Sequence, residues 1–387
     1  VIIHFVALSV CIEYFVADLT LVSIFFSVQS DRAHDQSWTS ITLPDFQNPY
    51  IATTGKGVMN RYSRQILLSQ IGEEGQETLK KSKVTIVGCG ALGSSIAEHL
   101  TRAGVGEILV VDRDFVELDN LQRQHLFSEF DVGRPKAITA EEKLREINSQ
   151  IHIKGVVEDI NQTNVEKFIK ERDIILDGTD NLDVRYLLND ACIKNGIPWI
   201  YGACVSVHGM SMNVLPGGPC LRCLLPQMPP PGSVPTCDTI GILNTVPSVI
   251  GSIESTETIR FLVEGTIDSH LTIVDLWEQD FRRVSVSQRK NCPCCVNRKY
   301  EFLDSPHEMV TMVGRDSVQV NPLAGSVSLN DLAQKLRSRG DVEETPYVLF
   351  FSVNQVYFSV FPDGRAIIKG IDDKEKARSL YAEFIGN

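Results

Sequence analysis

Four cysteines fall in two pairs, Cys220-x-x-Cys223 and Cys292-x-x-Cys295. Each pair has the spacing at which one turn of chain offers two thiolates, and together they supply the four soft ligands of a tetrahedral zinc. With every position filled by protein, such a site is structural. Unmetallated buried thiols are the competing reading. Cys294 is a further thiol beside them, at the wrong spacing from Cys292. A second set mixes cations and carboxylates. Asn120, Arg123 and Lys136 lie downstream of Asp112, and Asp180 follows a separate apolar run. Arg and Lys stabilise the charge that grows on departing pyrophosphate when a nucleoside triphosphate is cleaved. An acidic residue can hold Mg²⁺ against the phosphates. The third candidate is Cys237, in a Pro-rich stretch after Pro235-Thr236. It reads either as a thiol nucleophile or as an exposed loop cysteine. No Lys, Arg or His adjoins it to lower its pKa, and Asp238 would raise it.

The elements that must position these groups are legible around residues 84–112. Val84-Thr85-Ile86-Val87 is a short β-branched run that reads as a buried strand. It ends in Gly88-x-Gly90-x-x-Gly93, and residues 94–104 read as a helix. A second apolar strand ends at Asp112, about 20 residues on, where a carboxylate can bind ribose hydroxyls. The glycines permit a sharp turn and the approach of a phosphate to the helix N-terminus. This is a nucleotide-binding βαβ unit. By itself it names neither the nucleotide nor the reaction. Further β and α segments alternate to residue 203, which implies a largely parallel sheet. Asp112 and Asp180 both fall just beyond strand C-termini, the edge at which open α/β sheets bind ligands. Residues 208–215 read as an added antiparallel strand, 246–263 as a helix, and 271–276 with 283–286 as a strand pair. The stretch 226–241 reads as an exposed loop, because its prolines oppose a helix.

The chain has 387 residues, 43% hydrophobic and 22% charged, ordinary values for a soluble globular protein of two or three domains. Its net charge of −12 argues against broad nucleic-acid binding. With 10 cysteines in close pairs and no credible secretion signal, metal or thiol chemistry is favoured over disulfides. We expect three parts: an N-terminal extension (1–58), a nucleotide-binding domain (59–303) and a small α+β domain (304–387). The extension is apolar at first, but His4, Glu13 and Asp18 interrupt it, and neither piece reaches the ~20 residues that span a bilayer. It reads as disordered or mis-started translation before Met59, with a membrane-associated element as the competing reading. A cytoplasmic location without stable membrane insertion is expected.

Arg61-Tyr-Ser-Arg-Gln65, Gly88-Cys-Gly-Ala-Leu-Gly93, Asp112, Asn120-Leu-Gln-Arg-Gln124, Gly133-Arg-Pro-Lys136, Thr179-Asp-Asn181 and the two cysteine pairs closely resemble the MoeB/ThiF adenylyltransferases, bacterial relatives of ubiquitin-activating enzymes. The resemblance covers roughly residues 60–302. It implies a Rossmann-like, mostly parallel sheet with a structural zinc. It also implies a homodimer that adenylates the C-terminal Gly-Gly carboxylate of a ubiquitin-like sulfur carrier, ThiS or MoaD, for thiamine or molybdopterin biosynthesis. By resemblance Gly88, Gly90, Ala91 and Gly93 cradle ATP, and Asp112 binds ribose. Asn120, Arg123, Gln124 and Lys136 face the phosphates, and Asp180 with Asn181 lies at the Mg²⁺ position. Arg64 reaches ATP in the partner subunit. Cys237 matches the cysteine that links covalently to the carrier in some members. The extension has no counterpart in this pattern, and the C-terminal domain is not the rhodanese domain of some eukaryotic members, since no cysteine follows Cys295. Two other readings of the same glycine-rich turn are an NAD(P)-dependent oxidoreductase and a non-catalytic nucleotide-binding scaffold.

Overall fold

Strand β1 (Lys83–Val87) is buried on both faces, and its side chains alternate between two cores. Val84 and Ile86 join one cluster, whereas Val87 joins the other and Thr85 donates to the Phe168 carbonyl at 2.8 Å. Strand β2 (Glu107–Val111) repeats the pattern, with Ile108 and Val110 on the first face and Leu109 and Val111 on the second. This period of two, apolar on both faces, is what a strand covered by helices on each side requires. A computed structural model describes residues 60–230, 233–305, 310–312, 317–321 and 327–386. The chain divides into two units, Val1–Val58 and Met59–Asn387. Every described residue belongs to the second, so the expectations for 1–58 lie outside the described residues.

Two short helices, α1 (Ser63–Ile66) and α2 (Gly72–Lys81), precede β1. Helix α3 (Ala91–Ala103) joins β1 to β2. Helix α4 (Lys136–Ile147), β3 (His152–Val156), α5 (Val165–Ile169), β4 (Ile174–Asp177), α6 (Leu182–Asn195) and β5 (Trp199–Val205) continue the alternation. The antiparallel strands β6 (His208–Val214), β7 (His270–Asp275) and β8 (Asp280–Ser285) extend the sheet. They are interrupted by the one-turn helices α7 (Leu221–Leu224) and α8 (Cys237–Ile240) and by the long α9 (Thr245–Glu264). The order is β3-β2-β1-β4-β5-β6-β7-β8, with the first five strands parallel. β8 is therefore one free edge. Ile96 and Leu100 of α3 pack with Ile250 of α9 on one face of the sheet; Leu187, Leu188 and Trp199 fill the other.

The C-terminal part is a second, six-stranded antiparallel sheet. Its strands are β9 (Val310–Met312), β10 (Ser317–Val320), β11 (Asp341–Glu344), β12 (Leu349–Val353), β13 (Val356–Val360) and β14 (Ala366–Lys369), in the order β11-β12-β13-β14-β10-β9. Helices α10 (Leu329–Leu336) and α11 (Lys374–Phe384) complete it around Leu336, Phe351, Phe358 and Phe384.

Two local expectations need correction. Stretch 226–241 is not loop throughout, because α8 occupies its end. Proline restricts the chain only as far as Pro235; beyond it Thr236 and Thr239 form reciprocal capping bonds, with the Thr236 N–H donating to Thr239 Oγ1 at 2.8 Å. The C-terminal sheet also has β9 and β11, which the sequence pattern did not signal. β11 is an edge strand of mostly exposed acidic residues, so no apolar alternation marks it. Among the described residues no helix is long and apolar enough to cross a membrane.

Candidate functional site: the C-terminal edge of the parallel sheet

The turn after β1 is compressed to the limit of the backbone. Gly88 has φ +86°, and a Cβ there would lie 2.8 Å from the Gly178 backbone. A Cβ on Gly93 would sit 1.9 Å from the Gly88 carbonyl oxygen. Only glycine fits either position. Helix α3 begins after Gly90, and no side chain caps it, so its first N–H groups remain available to an anion.

Asp112 closes this turn from β2. Its Oδ2 accepts from the Cys89 N–H at 2.5 Å, and its Oδ1 from the Asp114 N–H at 2.6 Å. Asp114 in turn accepts at its backbone carbonyl from the Lys136 N–H at 2.9 Å. Its carboxylate lies 3.5 Å from Lys136 Nζ. Burial and the adjacent Asp114 push the Asp112 carboxyl above the ordinary carboxylate range, with Lys136 opposing. Burial also opposes ionisation of Asp114, but Lys136, Arg113 and Arg365 outweigh it and hold that carboxyl low. Lys136 is buried too; burial would depress it, yet Asp114, Asp112 and Asp180 hold its pKa above the usual lysine value. The result is a buried ammonium held between carboxylates, beside an uncapped helix N-terminus.

Asp180 lies beyond β4, exposed, within electrostatic reach of Lys136, Arg113 and Arg185. Its carboxylate makes no hydrogen bond or ion pair with the described residues. A free, exposed oxygen donor of this kind suits a hard divalent cation. The next residue behaves differently: Asn181 Oδ1 accepts from the Asp183 N–H at 2.8 Å and the Val184 N–H at 3.3 Å. It caps α6.

Asn120 is buried in a capping box. Its Oδ1 accepts from the Glu117 N–H at 3.4 Å, and its Nδ2 donates to Asp119 at 2.9 Å. Gln124 is buried near Gly90, and its Oε1 has no partner among the described residues. Arg123 Nη1 donates to the Asp119 carbonyl at 3.0 Å. It lines a cleft of about 250 Å³ with Ser95, His99 and Asn244. Arg64 is exposed on α1 and makes no hydrogen bond or ion pair with the described residues of its own chain. Cys237 is half-buried at the start of α8, its Sγ 3.5 Å from the Cys204 carbonyl near the end of β5. It is thus less open than a loop thiol.

The paired cysteines come together elsewhere. The Sγ atoms of Cys220, Cys223, Cys292 and Cys295 all lie within 4.8 Å of one another. The Cys220–Cys292 and Cys223–Cys295 separations are 3.6 and 3.5 Å. Zinc–sulfur bonds of about 2.3 Å in a tetrahedron demand sulfur separations of about 3.8 Å, so the cluster could hold a zinc ion. Cys294 stands outside this set, accepting from Asn189 Nδ2 at 3.2 Å. Asn189 also accepts from the Leu221 N–H at 2.8 Å and so aligns the two cysteine segments.

Three residues of the site were missed from sequence. Arg113 and Asp114 directly follow Asp112, and their charges were a visible signal. Arg185, on α6, had none: it pairs with Asp177 at the end of β4.

The ThiF family model matches residues 62–295. The chain belongs to the ThiF family. It is 39% identical over 335 residues to the sulfur carrier protein ThiS adenylyltransferase of Bacillus subtilis, covering 84% of this chain and 99% of that one. A sulfur carrier protein adenylyltransferase of Thermus thermophilus is 38% identical over 248 residues, covering 62% of this chain and 92% of the relative. Among solved structures, E. coli MccB with ATP superposes with a TM-score of 0.53 at 25% identity, covering 61% of this chain and 74% of MccB. The ThiF match runs through the glycine turn, the Asp112–Lys136 cluster and both cysteine pairs.

Proposed function

We propose that this chain uses ATP to adenylate the C-terminal Gly-Gly carboxylate of a ubiquitin-like sulfur carrier of ThiS or MoaD type, serving thiamine or molybdopterin biosynthesis. The observation that carries the reading is the Asp112–Asp114–Lys136 cluster, with Asp112 and Lys136 buried, against the uncapped start of α3. Asp112 holds the ribose, and the α3 N-terminus with Lys136 takes the phosphates. Arg123, Asn120 and Gln124 would assist at the phosphates; Gln124, buried near Gly90 with its Oε1 lacking a partner among the described residues, supports this. Asp180 would hold Mg²⁺, which when bound supplies charge neutralisation on the triphosphate. A dehydrogenase has no use for that set of cations, which disfavours the oxidoreductase reading.

The attacking carboxylate needs no general base, because with a pKa of about 3.5 it is ionised at neutral pH. The obstacle is bringing an anion to a polyanion. Lys136 lowers that repulsion, and its effect grows as pyrophosphate departs. Cys237 then takes the acyl group from the adenylate as a thioester, with AMP leaving. Its place beside the end of β5 supports this.

We further propose a homodimer in which Arg64 reaches the partner's triphosphate. Arg64 has no hydrogen-bond or ion-pair partner among the described residues, and Leu67 and Leu68 beside it are 75% and 52% exposed, an apolar patch suited to a subunit contact.

The test is ATP–pyrophosphate exchange with and without a Gly-Gly-tailed carrier. Carrier-dependent exchange is expected. ATP binding without exchange would leave only a nucleotide-binding scaffold.

A further inference from the structure

The C-terminal sheet does not merely follow the nucleotide domain; it grips the loop that carries the ribose carboxylate. Contacts among the described residues join them. Arg365 Nη2 donates to the Arg113 carbonyl at 3.0 Å. Gln319 Nε2 donates to Asp159 Oδ2 at 2.7 Å, and the other oxygen of Asp159 pairs with Arg113 Nη1 at 2.9 Å. The Phe361 and Phe115 rings are 5.3 Å apart, and Lys369 lies 3.3 Å from Glu117. Arg113 is therefore held at both ends, its side chain through Asp159 and its carbonyl by Arg365.

The Arg113 carbonyl and the Asp114 N–H belong to one planar peptide group. The carbonyl accepts from Arg365, and the N–H donates to Asp112 Oδ1 at 2.6 Å. A cationic donor on the oxygen polarises the amide and strengthens the bond its N–H makes. It also fixes the plane of the peptide, and with it the direction in which that N–H points. The donor is itself rigid: Arg365 is 3% exposed, and its guanidinium lies 3.8 Å from the Phe361 ring centroid.

We propose that the C-terminal module is a positioning element for the nucleotide ribose, with Arg365 as its positioning residue, acting on Asp112 through the 113–114 peptide. This rests on the reading of Asp112 as the ribose ligand. Asp112 grips the ribose equally in the ground and transition states, so the module governs ATP affinity and leaves turnover alone.

The experiment compares wild-type protein with Arg365→Met, which keeps an apolar stem over Phe361, and with Arg365→Lys, which keeps a cationic donor. Dissociation constants for ATP and for 2′,3′-dideoxyATP are measured by calorimetry on the full chain, and kcat and KM by pyrophosphate exchange. Arg365→Met is expected to weaken ATP roughly five- to tenfold, with KM rising and kcat unchanged. It should leave dideoxyATP affinity as in wild type, and Arg365→Lys should recover most of the loss. An unchanged ATP affinity overturns the proposal. So does an equal loss for ATP and dideoxyATP, or a fall in kcat alone. Should Arg365→Met fail to fold, Arg365→Gln, whose amide is too short to reach the Arg113 carbonyl, is judged on the same criteria. Exchange by the wild-type protein tests the adenylation reading separately, since the two dissociation constants need no carrier.

Discussion

Arg185 reaches back from α6 to Asp177 at the end of β4, its Nε 2.9 Å from the carboxylate, with both side chains buried. Its Nη2 also donates to the Thr179 carbonyl at 2.5 Å and to the Gly202 carbonyl at 2.7 Å. One guanidinium thus ties β4, β5 and the loop that presents Asp180. Removing one member of a buried pair leaves the other charge uncompensated, at a cost of about 3–5 kcal/mol. Arg185→Ala should therefore lower the urea midpoint markedly and reduce exchange even in the fraction that folds. A variant as stable as wild type would show that the pair is dispensable.

Asp180 is exposed and has no partner among the described residues, so Asp180→Ala should abolish exchange with little change in melting temperature. Arg64→Ala should also inactivate, for a different site. If Arg64 acts across the dimer, mixing the two inactive variants restores activity, because each heterodimer carries one intact site. Equal mixing with full subunit exchange should return about a quarter of wild-type activity. Persistent inactivity, with exchange of subunits verified by mass, places Arg64 in its own subunit's chemistry or in none.

The four-thiol cluster should retain one zinc per chain through purification. Cys223→Ser or Cys295→Ser should release it and lower stability, because binding free energy at such a site is folding free energy. Elemental analysis of freshly purified protein without zinc would contradict the assignment.

Glu254 of α9 is fully buried, and neither carboxylate oxygen has a hydrogen-bond partner among the described residues. Burial is the main reason its pKa lies well above the ordinary glutamate value; Asp177 raises it further, and Arg185 opposes. A carboxyl raised in the fold stabilises fully below its unfolded pKa of about 4.3, and that contribution is lost as pH climbs toward the folded value, at about 1.4 kcal/mol per unit. Glu254→Gln should therefore be more stable than wild type at neutral pH, with a gain that shrinks toward pH 4. Thermal melts across that range read it directly; a gain independent of pH would mean that Glu254 is not the titrating group.

What the sequence disclosed was what adjacent residues carry by themselves. Gly88, Gly93 and Asp112 belong to one strand–turn–helix–strand unit, and a cysteine pair declares its ligand spacing without help. The alternation of Ile86 with Val87 sufficed to bury β1 on both sides. Asn181 stands beside a candidate site and also caps α6, and both uses favour the same side chain, so the sequence does not separate them. Glu254 gave no signal, because one acidic residue on a helix looks like a solvated face until β5 closes over it. The Arg365–Arg113 bond spans 252 positions. No local pattern could have announced it.

Cys223 and Cys292 bracket α8, α9, β7 and β8, so the thiol cluster closes that whole segment into a ring. β8 is one free edge of the large sheet, where fraying would ordinarily begin. Here the two ends of the fraying piece are pinned to one point. The segment can still melt with its ends joined, but the closed loop gains less chain freedom when it does. Breaking the cluster, by chelation or by Cys295→Ser, should therefore lower amide protection in β7 more than in β1, which lies outside the loop.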